Sequence, residues 1–228
     1  MNYLPAVNNT DESEYSFQSQ NDLAYWNQFY NNTNDVAIRV EPSQFAAFCL
    51  TEMKDLGLNC VIELGAGNGR DAIFFANHGL KVIAMDNSQR AIHSISNKVN
   101  QHLNIYLFEH DVRNKLPDLD LKATDRSAIY ARFFVHALDE ITLEKFFKNT
   151  SLALKHGDFM FLEYRNEDDI SKPKLTETHY RAFYSSDRIA KHAKSNNFDL
   201  VYEVSGRGFA KLKHDDAVVT RQIFHFKG

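Results

Sequence analysis

The sequence predicts an α/β protein built on a doubly wound, mostly parallel seven-stranded sheet with an antiparallel last strand. Three observations carry this prediction. From residue 60 onward short apolar runs alternate with helical patterns, the order expected of parallel strands joined by crossover helices. The last two strand patterns follow one another with no convincing helix between them, which reads as a hairpin with one antiparallel strand. A chain of 228 residues suits one such domain and leaves little room for a second.

The elements follow in order. Residues 1–20 are rich in Asn, Ser, Gln and acidic side chains and read as a mobile tail ahead of a single domain over 21–228. Leu23, Trp26 and Phe29/Tyr30 recur at helical spacing. Pro42 is expected to open a second helix that stops near Gly57, so 21–58 reads as an N-terminal helical cap. Strands are expected at Cys60–Leu64, Lys81–Met85, Ile105–Phe108, Ser127–Ala131, Asp158–Tyr164, Phe198–Val204 and Ala217–Phe226. Helices are expected at Arg70–Asn77, Ser88–Val99, Leu143–Lys155 and Ser186–Asn196. The stretch from Asp111 to Asp125 carries a proline and many charges and reads as a loop. Residues 166–185 are polar and read as an insertion over a pocket.

Composition narrows the function. A formal charge of −4 offers no global field for nucleic acid. Cys49 and Cys60 lack metal-site spacing and read as buried free thiols in a reducing cytoplasm. No signal peptide is visible, and no apolar run approaches the ~20 residues that span a bilayer. No metal site, nucleic-acid partner or membrane partner is expected.

Chemistry concentrates in V-I-E-L-G-A-G-N-G-R-D, residues 61–71. Three glycines at alternate positions, Gly65, Gly67 and Gly69, follow a strand and precede a helix. A dinucleotide fingerprint, G-x-G-x-x-G, fails in register because Arg70 stands where its last glycine belongs. A phosphate-cradling P-loop fails because no Lys-Ser or Lys-Thr follows. What remains is an acid, Glu63, beside a tight glycine turn, which suits a cofactor carrying an ammonium. The next strand ends in Asp86, roughly 20 residues on, where a carboxylate can accept ribose hydroxyls.

These residues, with V-I-A-M-D-N-S-Q-R-A-I after them, resemble class I S-adenosylmethionine-dependent methyltransferases, a Rossmann-like family whose sheet carries an antiparallel last strand. The resemblance covers about residues 22–228 and is strongest over 60–140. It implies S-adenosyl-L-methionine as cofactor. It implies that Glu63 lies near the methionyl ammonium and that Gly65, Ala66, Gly67 and Gly69 let backbone approach the cofactor. Asp86, with Asn87 beside it, would hold the ribose. Asp111 would take the adenine amino group, the Val112 N–H would face the ring, and the Ala131 carbonyl would meet the ammonium. Trp26 and Tyr30 resemble an aromatic helix that closes over the methionyl end in some members. Each residue also has a plainer reading. The glycines could serve only a turn, Asp86 could cap the next helix, Asp111 could be a loop acid, and Trp26 and Tyr30 could be core.

Ligands of doubly wound folds bind beyond the carboxyl ends of the strands. The fourth strand there brings Arg132 and His136, the fifth Arg165, and the insertion His179, Tyr180 and Arg181. This basic rim is expected to bind the acceptor, with His136 as a candidate base. The plainer reading pairs Arg132 and Arg165 with Asp139, Glu163 or Asp168. A-R-F-F-V stands where an adenine-N6 DNA methyltransferase would carry N-P-P-Y or D-P-P-Y. The A-R-F-F-V-H-A-L and H-Y-R elements resemble small standalone bacterial methyltransferases of small molecules or surface-polysaccharide precursors. The expectation is therefore a small-molecule methyltransferase, foremost an O-methyltransferase of an anionic or hydroxylated acceptor. An N-methyltransferase, and a non-catalytic metabolite-binding protein on the same fold, stand as alternatives.

Overall fold

The computed structural model describes residues 23–30, 41–99, 102–172, 174 and 180–228. The expected tail, residues 1–20, and the rim residue His179 lie outside the described residues. Among those described, seven strands form one sheet: β1 (Cys60–Leu64), β2 (Lys81–Asp86), β3 (Ile105–Glu109), β4 (Ser127–Arg132), β5 (Phe159–Arg165), β6 (Phe198–Gly206) and β7 (Val219–Phe226). Their order is β3-β2-β1-β4-β5-β7-β6. The first five pair in parallel, and β7 runs antiparallel to both β5 and β6. The expected topology is therefore the observed one.

Helix α1 is seen over residues 23–30, and α2 (Gln44–Asp55), α3 (Arg70–Asn77), α4 (Gln89–Ser96), α5 (Glu140–Ser151) and α6 (Ser186–Ser195) follow. Side chains alternate across a strand, so the central strands feed two cores. Cys60, Ile62 and Leu64 of β1 join Phe146 and Phe147 of α5 and Ile189 of α6. Val61, from the same strand, joins Phe45 and Met53 of α2, Phe75 of α3 and Ile95 of α4. Glu63 shares the Val61 face, which aims a carboxylate where the pattern calls for a hydrocarbon. No helix among the described residues is long and apolar enough to cross a membrane.

Side-chain caps move helix starts away from expectation. Ser43 caps α2 by accepting the Ala46 N–H, so the helix begins at Gln44, two residues beyond Pro42. Helix α2 packs its Phe45–Met53 face into the core. Helix α5 starts at Glu140, earlier than the apolar pattern indicates, because Asp139 accepts the Thr142 N–H.

Candidate functional site

The order of the sheet reverses between β1 and β4, where crossovers leave in opposite directions. A cavity of roughly 420 Å³ opens there, at the carboxyl ends of β1 to β5. The charged side chains at the strand ends differ in sign. Strands β1, β2 and the turn after β3 contribute Glu63, Asp86 and Asp111, whereas β4 and β5 contribute Arg132 and Arg165.

The glycine loop builds the acidic half. Gly67 has φ +56°, and a Cβ there would stand 2.5 Å from the Tyr30 hydroxyl. Gly65 likewise has no room for a side chain, because a Cβ would strike the Phe134 ring. Gly69 is different. It does not line the cavity; a Cβ on it would press into Ile95 of α4, at 2.6 Å from Cγ1. Gly69 lies at the start of α3 with a φ of +76° and gives close approach to α4. Ala131 is also absent from the cavity wall, buried inside β4.

Glu63 is 4% exposed, and its Oε2 has no hydrogen-bond partner among the described residues. Burial, reinforced by nearby Asp71, pushes its carboxyl well above the ordinary carboxylate range. The charges of Arg70 and Arg132 oppose that rise, and Oε2 keeps capacity for a further donor. Arg70, the first residue of α3, lines the same wall. Burial and the neighbouring Arg132 lower its pKa, and its ion pair with Asp71 is long, at 3.7 Å. Asp71 has closer partners: Ser43 N–H at 2.7 Å, Ser43 Oγ at 2.8 Å and the Tyr130 hydroxyl at 2.8 Å. This buried knot ties α2 and α3 to β4 directly beneath the loop.

Asp86 accepts the Gly67 N–H at 2.9 Å on one oxygen and the Ser88 N–H at 2.8 Å on the other. Helix α4 is capped by Ser88, so the capping alternative for Asp86 does not apply. Burial raises the Asp86 pKa, and the two backbone donors oppose that rise. Each oxygen keeps lone-pair capacity for a further donor. Asn87 and Ala66 complete this stretch of wall. Asp111 is more committed than the sequence indicates. The Arg113 backbone N–H, Nε and Nη2 all donate to its carboxylate, and these contacts hold its pKa low against burial. Val112 follows it on the wall.

Helix α1 supplies the roof. Trp26 and Tyr30 both line the cavity and stack on one another with ring centroids 6.1 Å apart. Ser88 Oγ donates to Asn27 Oδ1 at 2.6 Å, which pins α1 to the start of α4. Burial raises the Tyr30 hydroxyl's pKa, with the Asp86 carboxylate adding to the rise.

The basic half lies at β4 and β5. Arg132 Nε donates to Glu163 Oε1 at 2.8 Å, and Arg221 of β7 donates to the other oxygen at 2.7 Å. Glu163 is fully buried, so this cluster sets two cations against one carboxylate. Burial works to lower the Arg132 pKa, but Glu163 prevails and raises it. Arg165 is expected as a hand for substrate, yet its Nη1 and Nη2 each donate to a carboxylate, Asp169 and Asp215, at 2.6 Å. Both arginines are paired with acids: Arg132 with Glu163, one of the expected partners, and Arg165 with none of Asp139, Glu163 and Asp168. Arg165 is only 6% exposed and forms fixed wall. Tyr180 and Arg181 line the cavity as well. Burial, then the charge of Arg165, lowers the Arg181 pKa.

His136 is buried in a 3₁₀ turn after β4 and lines the cavity. Its Nδ1 accepts the Arg165 backbone N–H at 3.2 Å, and its carbonyl accepts the Ala182 N–H at 2.7 Å. Phe133, at φ +53°, carries a bulky side chain in the left-handed region. Its ring faces the Arg132 guanidinium at 4.3 Å and the His136 ring at 5.5 Å. Sequence reasoning missed Arg70, Asp71 and Phe133 as site residues. The ion pairs and the strained turn arise from contacts across the fold, which no local pattern encodes.

Residues 61–157 match the model of a methyltransferase domain family. No curated protein matches the sequence. Among solved structures, an S-adenosylmethionine-dependent methyltransferase from Clostridium acetobutylicum is 15% identical, with 92% of this chain and 100% of that chain covered and a TM-score of 0.63. The CcbJ methyltransferase from Streptomyces caelestis is 16% identical over 88% of this chain and 96% of its own, with a TM-score of 0.63. The glycopeptide N-methyltransferase MtfA, complexed with sinefungin, is 15% identical over 82% of this chain and 88% of its own, with a TM-score of 0.61. At these identities the likeness is one of fold.

Proposed function

We propose that this S-adenosylmethionine-dependent class I methyltransferase acts on a small acceptor bearing an anionic group or a hydroxyl, foremost as an O-methyltransferase. The observation that supports the reading is the sign of the charges at the strand ends of one cavity, carboxylates at β1 to β3 and arginines at β4 and β5. An ammonium-bearing nucleoside cofactor complements the first half, and an anion complements the second.

The residues present fit the cofactor. Glu63, buried with an unpartnered oxygen, takes the ammonium, and Arg70 takes the carboxylate of the same amino-acid end. Asp86 accepts the ribose hydroxyls, while Gly67 and Tyr30 bound the space beside them. The Val112 N–H faces the adenine edge, and Asp111, held by Arg113, shapes that end of the cavity. Trp26 and Tyr30 exclude water from above. When bound, S-adenosylmethionine supplies an electrophilic methyl group on a sulfonium.

The chain's own part is to bring a nucleophile in line with that methyl. Arg132 and Arg181 attract and orient the acceptor, and Arg165 holds the wall behind them. Much of the acceleration can come from such positioning at near-attack distance. MtfA is a glycopeptide N-methyltransferase, and by that likeness of fold an amine acceptor is the second reading. Calorimetric titration with S-adenosylhomocysteine tests the cofactor half. The proposal expects saturable binding and a higher melting temperature; no binding, with NADH bound instead, overturns it.

A further inference from the structure

Four consecutive residues of the loop between β6 and β7, Phe209 to Leu212, line the same cavity as the strand ends. The loop is held in place at several points. Arg221 of β7 donates from Nη2 to the Phe209 carbonyl at 3.2 Å, and its guanidinium faces the Phe209 ring at 4.7 Å. The Gly208 N–H donates to Asp216 Oδ1 at 2.7 Å. Leu212 and Asp215 exchange backbone hydrogen bonds at 2.8 and 3.0 Å, around a turn in which Lys213 takes φ +55°. A lysine at that angle stands in a sparsely populated region and persists there only because its surroundings impose the turn.

The charges of this loop are unevenly engaged. Both of its acids turn to internal partners. Asp215 accepts from the buried Arg165 guanidinium at 2.6 Å, and Asp216 accepts the Gly208 N–H and lies 3.5 Å from Arg207. Lys211 has no ion pair, hydrogen bond or ring contact among the described residues and is exposed on the cavity wall. Arg132 and Arg165 on that wall are, by contrast, held by Glu163, Asp169 and Asp215. Lys211 therefore breaks no contact when it turns to a ligand, and its flexible four-carbon stem lets the ammonium sweep the mouth of the cavity. Phe209 and Leu212, half-buried on either side of it, offer apolar surface to the body of the same ligand.

We infer that the β6–β7 loop is a wall of the acceptor site, and that Lys211 pairs with an anionic group of the acceptor set apart from the atom that is methylated. This rests on the methyl-transfer reading above and deepens it. Strand β7 stands two places from β4 in the sheet, about 10 Å at the usual strand spacing. Glu63 and Asp86, near the ends of β1 and β2, lie farther still, on the other side of β4. An anion at the loop is therefore a handle, and the nucleophile is another group of the same molecule. The class implied is an organic anion with an apolar body, such as an aromatic acid carrying a hydroxyl or an amine at its far end.

The test uses pairs matched in shape that differ in charge: 4-hydroxybenzoate against 4-hydroxybenzamide, and 4-aminobenzoate against 4-aminobenzamide. Each is titrated by calorimetry into the full chain saturated with S-adenosylhomocysteine. The inference expects the acid of at least one pair to bind more tightly than its amide. Lys211→Ala should weaken that acid roughly 5-fold, the size of an exposed ion pair, and leave the amide unchanged. Lys211→Glu should weaken it further, and Lys211→Arg should keep it near the parent. Because Lys211 is exposed and makes no contact among the described residues, all three variants should melt with the parent. Acids that bind no better than their amides, no binding of either, or a preference that survives Lys211→Glu overturns the inference while methyl transfer itself stands. Failure of S-adenosylhomocysteine to bind the unaltered chain overturns the methyl-transfer reading and this inference with it.

Discussion

Replacing Glu63 with Gln keeps the size of the side chain and removes the charge that the acidic half of the cavity is built around. The buried Oε2 has no partner within the described residues, so the substitution breaks no internal hydrogen bond there. Against a bound ammonium it removes one charge-assisted hydrogen bond, worth about 1.5–3 kcal/mol. S-adenosylhomocysteine affinity should therefore fall roughly 10- to 100-fold. Stability should move the other way. Burial first, and Asp71 next, raise the folded-state pKa of Glu63 above its unfolded value. Folding thus binds a proton at this group. Its contribution is fully present below the unfolded pKa and is lost as pH rises through the folded one. The Gln variant lacks that loss, so above the ordinary carboxylate range it should melt higher than the parent. Calorimetric titration and thermal melts from pH 5 to 9 read both effects. Wild-type affinity should also fall as pH drops below the raised pKa, since ammonium binding needs the ionised form. Unchanged affinity, or a parallel loss of stability and affinity, refutes the assignment of Glu63.

Three further outcomes follow from the same geometry. Asp86→Ala should weaken S-adenosylhomocysteine binding by about 1–3 kcal/mol, read by calorimetry, while circular dichroism stays native; unchanged affinity would leave Asp86 as a loop-bracing group only. Asp71→Ala strands Ser43 and Tyr130 and should cost on the order of 3 kcal/mol, a melting-temperature drop of about 6–12 °C. Arg181→Ala should raise the acceptor's KM with S-adenosylhomocysteine affinity nearly unchanged, and an equal loss in both would place Arg181 in the cofactor half.

The fold is legible in the sequence because its signals are local and repeated. Strand β1 reads as an apolar run, the glycines mark the turn, and the absence of a helix between β6 and β7 gives the antiparallel ending. Caps are less visible, since Asp139 and Ser43 declare themselves only when their side chains meet a particular N–H. The cavity's acidic half is legible for the same local reason, with Glu63 and Asp86 closing adjacent strands. The basic half is not. Arg165 finds Asp215 50 residues away and Arg221 finds Glu163 58 residues away, separations that only the folded sheet brings together. Asp71 joins Ser43 and Tyr130 across 28 and 59 residues. His136 Nδ1 meets a backbone N–H 29 positions on, and no spacing rule reports it.

The central claim is methyl transfer to a small acceptor, and its most direct test is to follow the methyl group. The purified chain is incubated with methyl-labelled S-adenosylmethionine and a whole extract of bacterial cells, and the products are separated by size. The account predicts label in a low-molecular-weight product, with S-adenosylhomocysteine formed in equal amount. Binding of S-adenosylhomocysteine without any transfer of label, or label found only in nucleic acid or protein, contradicts it.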